Sequence, residues 1–224
     1  MKVILSVLPF LIIIGCRQTE RKKIFYTFPN GIVGEVRYYE NSGDSLTYRK
    51  EAFYSNGAKG YIGNVVNGKK NGIWIWWYPN GNKKDQCKYL KGREIDTLYH
   101  WYKNGIIKQI EIPWIGRRLT DSCNPCNGTI IRYFENGKPQ SMFKNIDDIP
   151  QDTGKRWYDN GQLEWYAVYK NGKENGISEV FYKNGQKEKS GRLVNGLLDG
   201  DVTYWDSLGK IVSVTKYKLG TITN

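Results

Sequence analysis

From residue 28 onward the apolar positions fall in short runs, each closing on two adjacent aromatics and then broken by a turn signal. The unit aromatic-aromatic-x-Asn-Gly occurs at Phe53-Tyr54-Ser55-Asn56-Gly57, Trp77 to Gly81, Trp101 to Gly105, Tyr133 to Gly137, Trp157 to Gly161 and Phe181 to Gly185. A degenerate copy, Tyr204-Trp205-Asp206-Ser207-Leu208-Gly209, ends the series. The runs lack the three-to-four residue spacing of an amphipathic helix, and Ala is scarce, so the pattern predicts strands joined by tight turns. Successive strand residues point to opposite faces, so the two aromatics of a pair cannot share one environment. One column (Tyr54, Tyr78, Tyr102, Phe134, Tyr158, Tyr182) or the other (Phe53, Trp77, Trp101, Tyr133, Trp157, Phe181) is expected to face the core. Like residues are expected to stack as aromatic ladders from unit to unit.

The glycines set the period. Gly57, Gly81, Gly105, Gly137, Gly161, Gly185 and Gly209 follow one another at 24, 24, 32, 24, 24 and 24 residues. A second ladder, Gly68, Gly92, Gly116, Gly172, Gly196 and Gly220, lies 11 residues after members of the first, and Asp148 takes the place of the one missing glycine. Two turns per 24 residues mean two strands per unit. Asn-Gly favours a type I′ hairpin, which needs positive φ at both central residues. The expected fold is all-β: an elongated solenoid or meander of about eight 24-residue hairpins, the last incomplete, with no substantial helix after the N-terminal segment. The single spacing of 32 places eight extra residues between Gly116 and Gly128, a loop insertion over 117–127. Pro150, in the Asp147 to Asp152 stretch, argues for an irregular exposed turn rather than a central strand there.

Lys2 and the apolar run Val3 to Ile14 have the length of a signal-peptide core, too short for an ordinary membrane span. The run ends Ile13-Ile14-Gly15-Cys16, which resembles a bacterial lipobox. On that reading residues 1–15 are a lipoprotein signal peptide, Cys16 carries the lipid, and 16–27 form a basic tether. The repeat domain then fills 28–224, and the protein sits in the cell envelope, anchored without a spanning helix.

The repeat unit resembles the MORN-repeat variant of bacterial proteins labelled YwqK-type antitoxins. The closest copy runs Trp165-Tyr166-Ala167-Val168-Tyr169-Lys170-Asn171-Gly172-Lys173-Glu174-Asn175-Gly176, followed by Phe181-Tyr182. The resemblance covers roughly 28 to 220 and implies a β-hairpin solenoid; it carries an antitoxin label onto a chain that departs from the family in its lipobox and its inserted Cys123-Asn124-Pro125-Cys126.

Composition offers little to an enzyme. No phosphate loop, His cluster for a metal or nucleophile elbow is present, and no cofactor or metal is expected. The sole histidine, His100, occupies a repeat position held elsewhere by Trp76, Arg132 or Arg156, and reads as an ordinary strand residue. Cys123 and Cys126 could form a redox pair, yet nothing predicts the helix that lowers a thiol pKa. In an exported protein they read as a structural disulfide, with each other or with Cys87. Asp147, Asp148 and Asp152 read as a solvated turn, with calcium binding the competing reading. The excess of 34 basic over 22 acidic residues is scattered, which suits solvated faces; an exported protein has little access to nucleic acid, so anionic lipid or glycan is the nearer electrostatic partner.

The expected function is therefore a non-enzymatic envelope lipoprotein that binds or scaffolds another protein, a toxin among the options. The alternative is a carbohydrate or cell-wall binding module. Trp74, Trp76 and Trp165 are the candidate binding-surface residues, since the first two are choices peculiar to their own unit.

Overall fold

The computed structural model describes residues 20–40, 45–113 and 128–223. Among them lie nineteen strands and no helix. In order these are β1 Arg21–Thr27, β2 Val33–Tyr39, β3 Tyr48–Phe53, β4 Lys59–Val66, β5 Lys69–Trp77, β6 Lys83–Leu90, β7 Arg93–Glu94, β8 Leu98–Trp101, β9 Ile107–Pro113 and β10 Gly128–Tyr133. They continue with β11 Pro139–Ile146, β12 Ile149–Trp157, β13 Leu163–Lys170, β14 Lys173–Phe181, β15 Lys187–Val194, β16 Leu197–Leu198, β17 Gly200–Trp205, β18 Ile211–Lys218 and β19 Thr221–Ile222. Strands pair antiparallel in chain order, giving one open meandering sheet; β7 with β8, and β16 with β17, share a single neighbour. The all-β expectation holds.

The first strand begins at Arg21, inside the expected 16–27 tether. Ile24, Phe25 and Tyr26 give that stretch strand propensity, and it pairs with β2 from Arg21↔Tyr39 to Thr27↔Val33. The rest of the tether, the signal segment, Cys16 and the 117–127 insertion lie outside the described residues. The strands flanking that insertion pair directly, Pro113 opposite Gly128 and Gln109 opposite Arg132.

The two glycine ladders form different turns, which corrects the single type I′ expectation. At the described turns of the second ladder both central residues have positive φ, as at Asn67 (51°) and Gly68 (72°), and the hairpins are two-residue. In the first ladder only the glycine does; Gly57 N donates to Tyr54 O and Tyr54 N donates to Ala58 O, a type I turn closed by a left-handed glycine. The Asn of the first ladder is there for its side chain. Asn56 Oδ1 accepts from Ala58 N at 3.0 Å while Nδ2 donates to Pro79 O of the next turn at 3.2 Å. The same double contact recurs at Asn30, Asn80, Asn104, Asn136, Asn160 and Asn184.

The segment around Pro150 is also corrected. Asp147 and Asp148 adopt φ of 51° and 60°, making the same tight turn as Asn-Gly elsewhere, and Pro150 lies within β12. Its carbonyl accepts from Gly172 N, and strand pairing to β13 begins only at Asp152, so the missing N–H costs no ladder bond to that neighbour.

Neither aromatic column forms the core, and no described ring pair joins two members of one column. The tyrosine column instead works through its hydroxyls: Tyr54 donates to Trp77 O, Tyr78 to Trp101 O, Tyr102 to Tyr133 O, Tyr158 to Phe181 O and Tyr182 to Trp205 O, all at 2.8–2.9 Å. Phe134, lacking a hydroxyl, leaves one gap in this chain. The first column is covered by lysines reaching from the preceding hairpin, with Lys59 over Trp77, Lys83 over Trp101 and Lys187 over Trp205.

From β5 onward the core is a thin row running across the strands on one face, while in β2 and β3 Val36 and Glu51 are buried on the other. Trp74 opposes Cys87, Leu98 opposes Glu111, and Ile130, Phe143, Gly154, Ala167, Ser178 and Gly191 follow as successive partners. The row is bulky as far as Phe143 and small from Gly154 to Gly191, and at its glycines a neighbouring side chain takes the space. A Cβ on Gly63 would run into the Trp74 ring, one on Gly154 would crowd Phe143, Tyr169 and Trp165, and one on Gly191 would meet Val202.

Candidate binding surface

Beside the core row, on the same face, a second row carries the exposed chemistry. Trp76, Asp85, His100, Gln109, Arg132, Ser141, Arg156 and Trp165 are consecutive cross-strand partners from β5 to β13. Each stands four residues after a glycine, of the first ladder for Asp85, Gln109, Ser141 and Trp165 and at Gly72 and Gly128 for Trp76 and Arg132, or, for His100 and Arg156, after Asp96 or Asp152 at the equivalent place. At the usual strand separation of about 4.8 Å the row is roughly 34 Å long. Aromatics mark its ends and polar or charged groups its middle.

Trp76 lies 5.8 Å from the Trp74 ring and 6.4 Å from Tyr89, with Lys70 Nζ 4.7 Å from its centroid. Trp165 is framed by Phe143 and Tyr169, each at 6.0 Å, and by the Arg156 guanidinium at 5.7 Å. Both are half-buried with part of a ring toward solvent. Trp74 is different: it is 4% exposed, its ring lies against Gly63 and its Nε1 donates to Asn64 O at 3.0 Å. It is a core pillar, which removes it from the candidate surface; its value lies in filling the space left by a glycine, a relation visible only once β4 and β5 are paired.

His100 does more than the ordinary strand residue its repeat position predicts. Its Nδ1 lies 2.7 Å from Asp85 Oδ1, and Nε2 is 3.3 Å from Glu111 Oε1, close enough for an ion pair though poorly aligned for a hydrogen bond. The hydrogen bond to Asp85 first, then Glu111, raises the His100 pKa to about 9. Glu111, 13% exposed at a core-row position, is held below its usual range chiefly by the close His100 imidazolium, and it accepts from Gln109 as well. The imidazolium is thus the charge that lets a carboxylate sit in the core row. A histidine already protonated at neutral pH has no free basic nitrogen to offer as a general base.

Cys87 is a buried free thiol whose pKa burial pushes up to about 12, the reverse of an activated nucleophile. Cys123 and Cys126 lie outside the described residues. Asp147, Asp148 and Asp152 occupy three left-handed turn or bulge positions, and Asp152 pairs with Lys144 at 2.8 Å; among the described residues no group of three His, Cys, Asp or Glu side chains is arranged to hold a metal ion.

Two shallow concavities adjoin His100. One, of about 210 Å³, is lined by Tyr78, Asp85, Trp101, Lys108 and Glu111 among others; the other, of about 230 Å³, by Trp76, Tyr89, Glu94 and Tyr99. Small-molecule sites usually enclose about 300–1,000 Å³. These hollows suit single side chains of a partner lying along the row.

A family model described as MORN repeat variant matches residues 70–91, from β5 through β6 to the following turn. The chain contains a MORN-variant repeat. No curated protein matches the chain. Repeats of this kind commonly mediate protein or membrane binding, and proteins built of them are generally non-enzymatic binding modules.

Proposed function

We propose that this protein is a scaffold module that binds another protein along the Trp76 to Trp165 row, held on the bacterial cell envelope by a lipid on Cys16. The row carries the reading: it crosses eight strands, it bears both aromatic anchors and charges, and the two hollows beside His100 lie below the usual small-molecule range of about 300–1,000 Å³. An antitoxin- or immunity-like role is one form of such binding, in which the partner is a toxin; anionic glycan or lipid is a further class of ligand for Arg132 and Arg156.

Photo-crosslinking amino acids placed in living cells at Arg132 and Arg156, with Lys155 on the opposite face as control, test the row. The same protein adduct from both row positions and none from Lys155 is the expected result. Equal yields from both faces, or no adduct, overturn it. Metabolic labelling with an alkyne fatty acid tests the anchor, with label and membrane association both lost in Cys16→Ser.

A further inference from the structure

Each end of the Trp76 to Trp165 row carries a triangle of aromatic rings, and the two triangles differ in what caps them. At the first end the ring centroids of Trp74, Trp76 and Tyr89 lie 5.8, 6.4 and 6.4 Å apart. Lys70 Nζ caps that triangle, 4.8, 4.7 and 4.7 Å from the three centroids. Negative ring faces surround the ammonium on three sides.

At the other end Phe143, Trp165 and Tyr169 repeat the figure, with centroids 6.0, 6.0 and 6.4 Å apart. In both triangles two rings are tilted by 30° or 34°, and the tyrosine stands edge-on to each of them. In both, the tyrosine hydroxyl donates to a glutamate at the same repeat position, Tyr89 to Glu94 at 2.9 Å and Tyr169 to Glu174 at 3.5 Å. Gly154 lets the second set of rings converge, since a Cβ there would lie 2.9–3.1 Å from all three.

The cap is what differs. Pro150 holds the repeat position of Lys70, eleven residues before the ladder glycine. Among the described residues the one cation placed over any of these rings is the Arg156 guanidinium, 5.7 Å from Trp165 alone. A planar guanidinium stacks on one ring, whereas a compact ammonium can face three at once. The second triangle thus has the rings and the carboxylate that hold Lys70 at the first, and no ammonium of the chain's own.

We propose that the Phe143, Trp165 and Tyr169 triangle takes an alkylammonium group, the side chain of a lysine on the bound protein, with Glu174 beside it as counter-charge. This rests on the binding-module reading above and names the anchor at the Trp165 end of the row.

The test uses the full chain in detergent with fluorotryptophan incorporated, the Trp165 and Trp76 resonances being assigned by substitution with phenylalanine. The probe is N-acetyl-lysine methylamide, and its neutral counterpart N-acetyl-norleucine methylamide is the control. The Trp165 fluorine resonance should shift saturably with the lysine probe and not with norleucine. Glu174→Gln should weaken that response by about threefold or more while leaving thermal unfolding in place. Trp76 should not respond in the native chain and should respond in Lys70→Gln, where the first triangle loses its cap. No saturable shift of Trp165, an equal shift with norleucine, or an undiminished response in Glu174→Gln overturns the proposal. Failure here alongside specific crosslinks from Arg132 and Arg156 would remove the lysine anchor and leave the binding-module reading intact. A Trp165 response with no crosslinked protein would keep the ammonium site and remove a protein as its source.

Discussion

Tyr78 donating to Trp101 O is one link of a hydroxyl chain that ties each hairpin to the next, and Phe134 is where the chain skips a link. A part-buried hydrogen bond contributes about 1 kcal/mol. Tyr78→Phe should therefore lower the unfolding free energy by about 0.5–1.5 kcal/mol in urea titration, whereas Phe134→Tyr, restoring a donor toward Trp157 O, should raise it by up to about 1 kcal/mol. The His100 cluster makes stability depend on pH. Folding raises the His100 pKa from 6.5 to about 9, so its contribution is complete below about pH 6.5 and is lost as pH rises through 9. Glu111 moves the other way, contributing above pH 4.5 and losing that contribution as pH falls through its lowered pKa. Unfolding free energy measured from pH 6 to 10 should fall more steeply for the native chain than for His100→Gln, by on the order of 2 kcal/mol. Sequence reading recognised that Tyr and Asn recur but not what their polar atoms do, because the acceptors belong to a turn one repeat away.

At the scale of turns and strands, identical dipeptides serve different geometries. Asn67-Gly68 is a two-residue hairpin and Asn56-Gly57 the close of a longer one, and the flanking strands decide between them. Asp148 at φ 60° performs a glycine's task with a Cβ attached, so Asp148→Gly should stabilise the chain by about 0.5 kcal/mol, read as a rise in thermal midpoint. Gly63 shows the opposite constraint. A methyl there meets the Trp74 ring, and Gly63→Ala should cost about 1–3 kcal/mol in the same measurement. The ladder spacing marks residue 148 as a turn position, whereas Gly63 lies outside both ladders, and its need, the tryptophan ring across the strand pair, is a property of packing.

Across the molecule, β9 and β10 pair from Gln109/Arg132 to Pro113/Gly128 whatever the 14 residues between them do. Replacing 114–127 by Asn-Gly should keep the β-sheet circular dichroism and change stability by less than about 1 kcal/mol, because a surface connection contributes little beyond its closure entropy. The sequence by itself determined the all-β class and the meander of 24-residue hairpins, since turn chemistry and strand alternation are local. Tertiary structure alone decided that Trp74 is core while Trp76 and Trp165 stay half-buried beside it, and that His100 lies between Asp85 and Glu111. Those outcomes depend on register, on which residue stands opposite which after each bulge, and register is settled by strands that lie far apart in the chain.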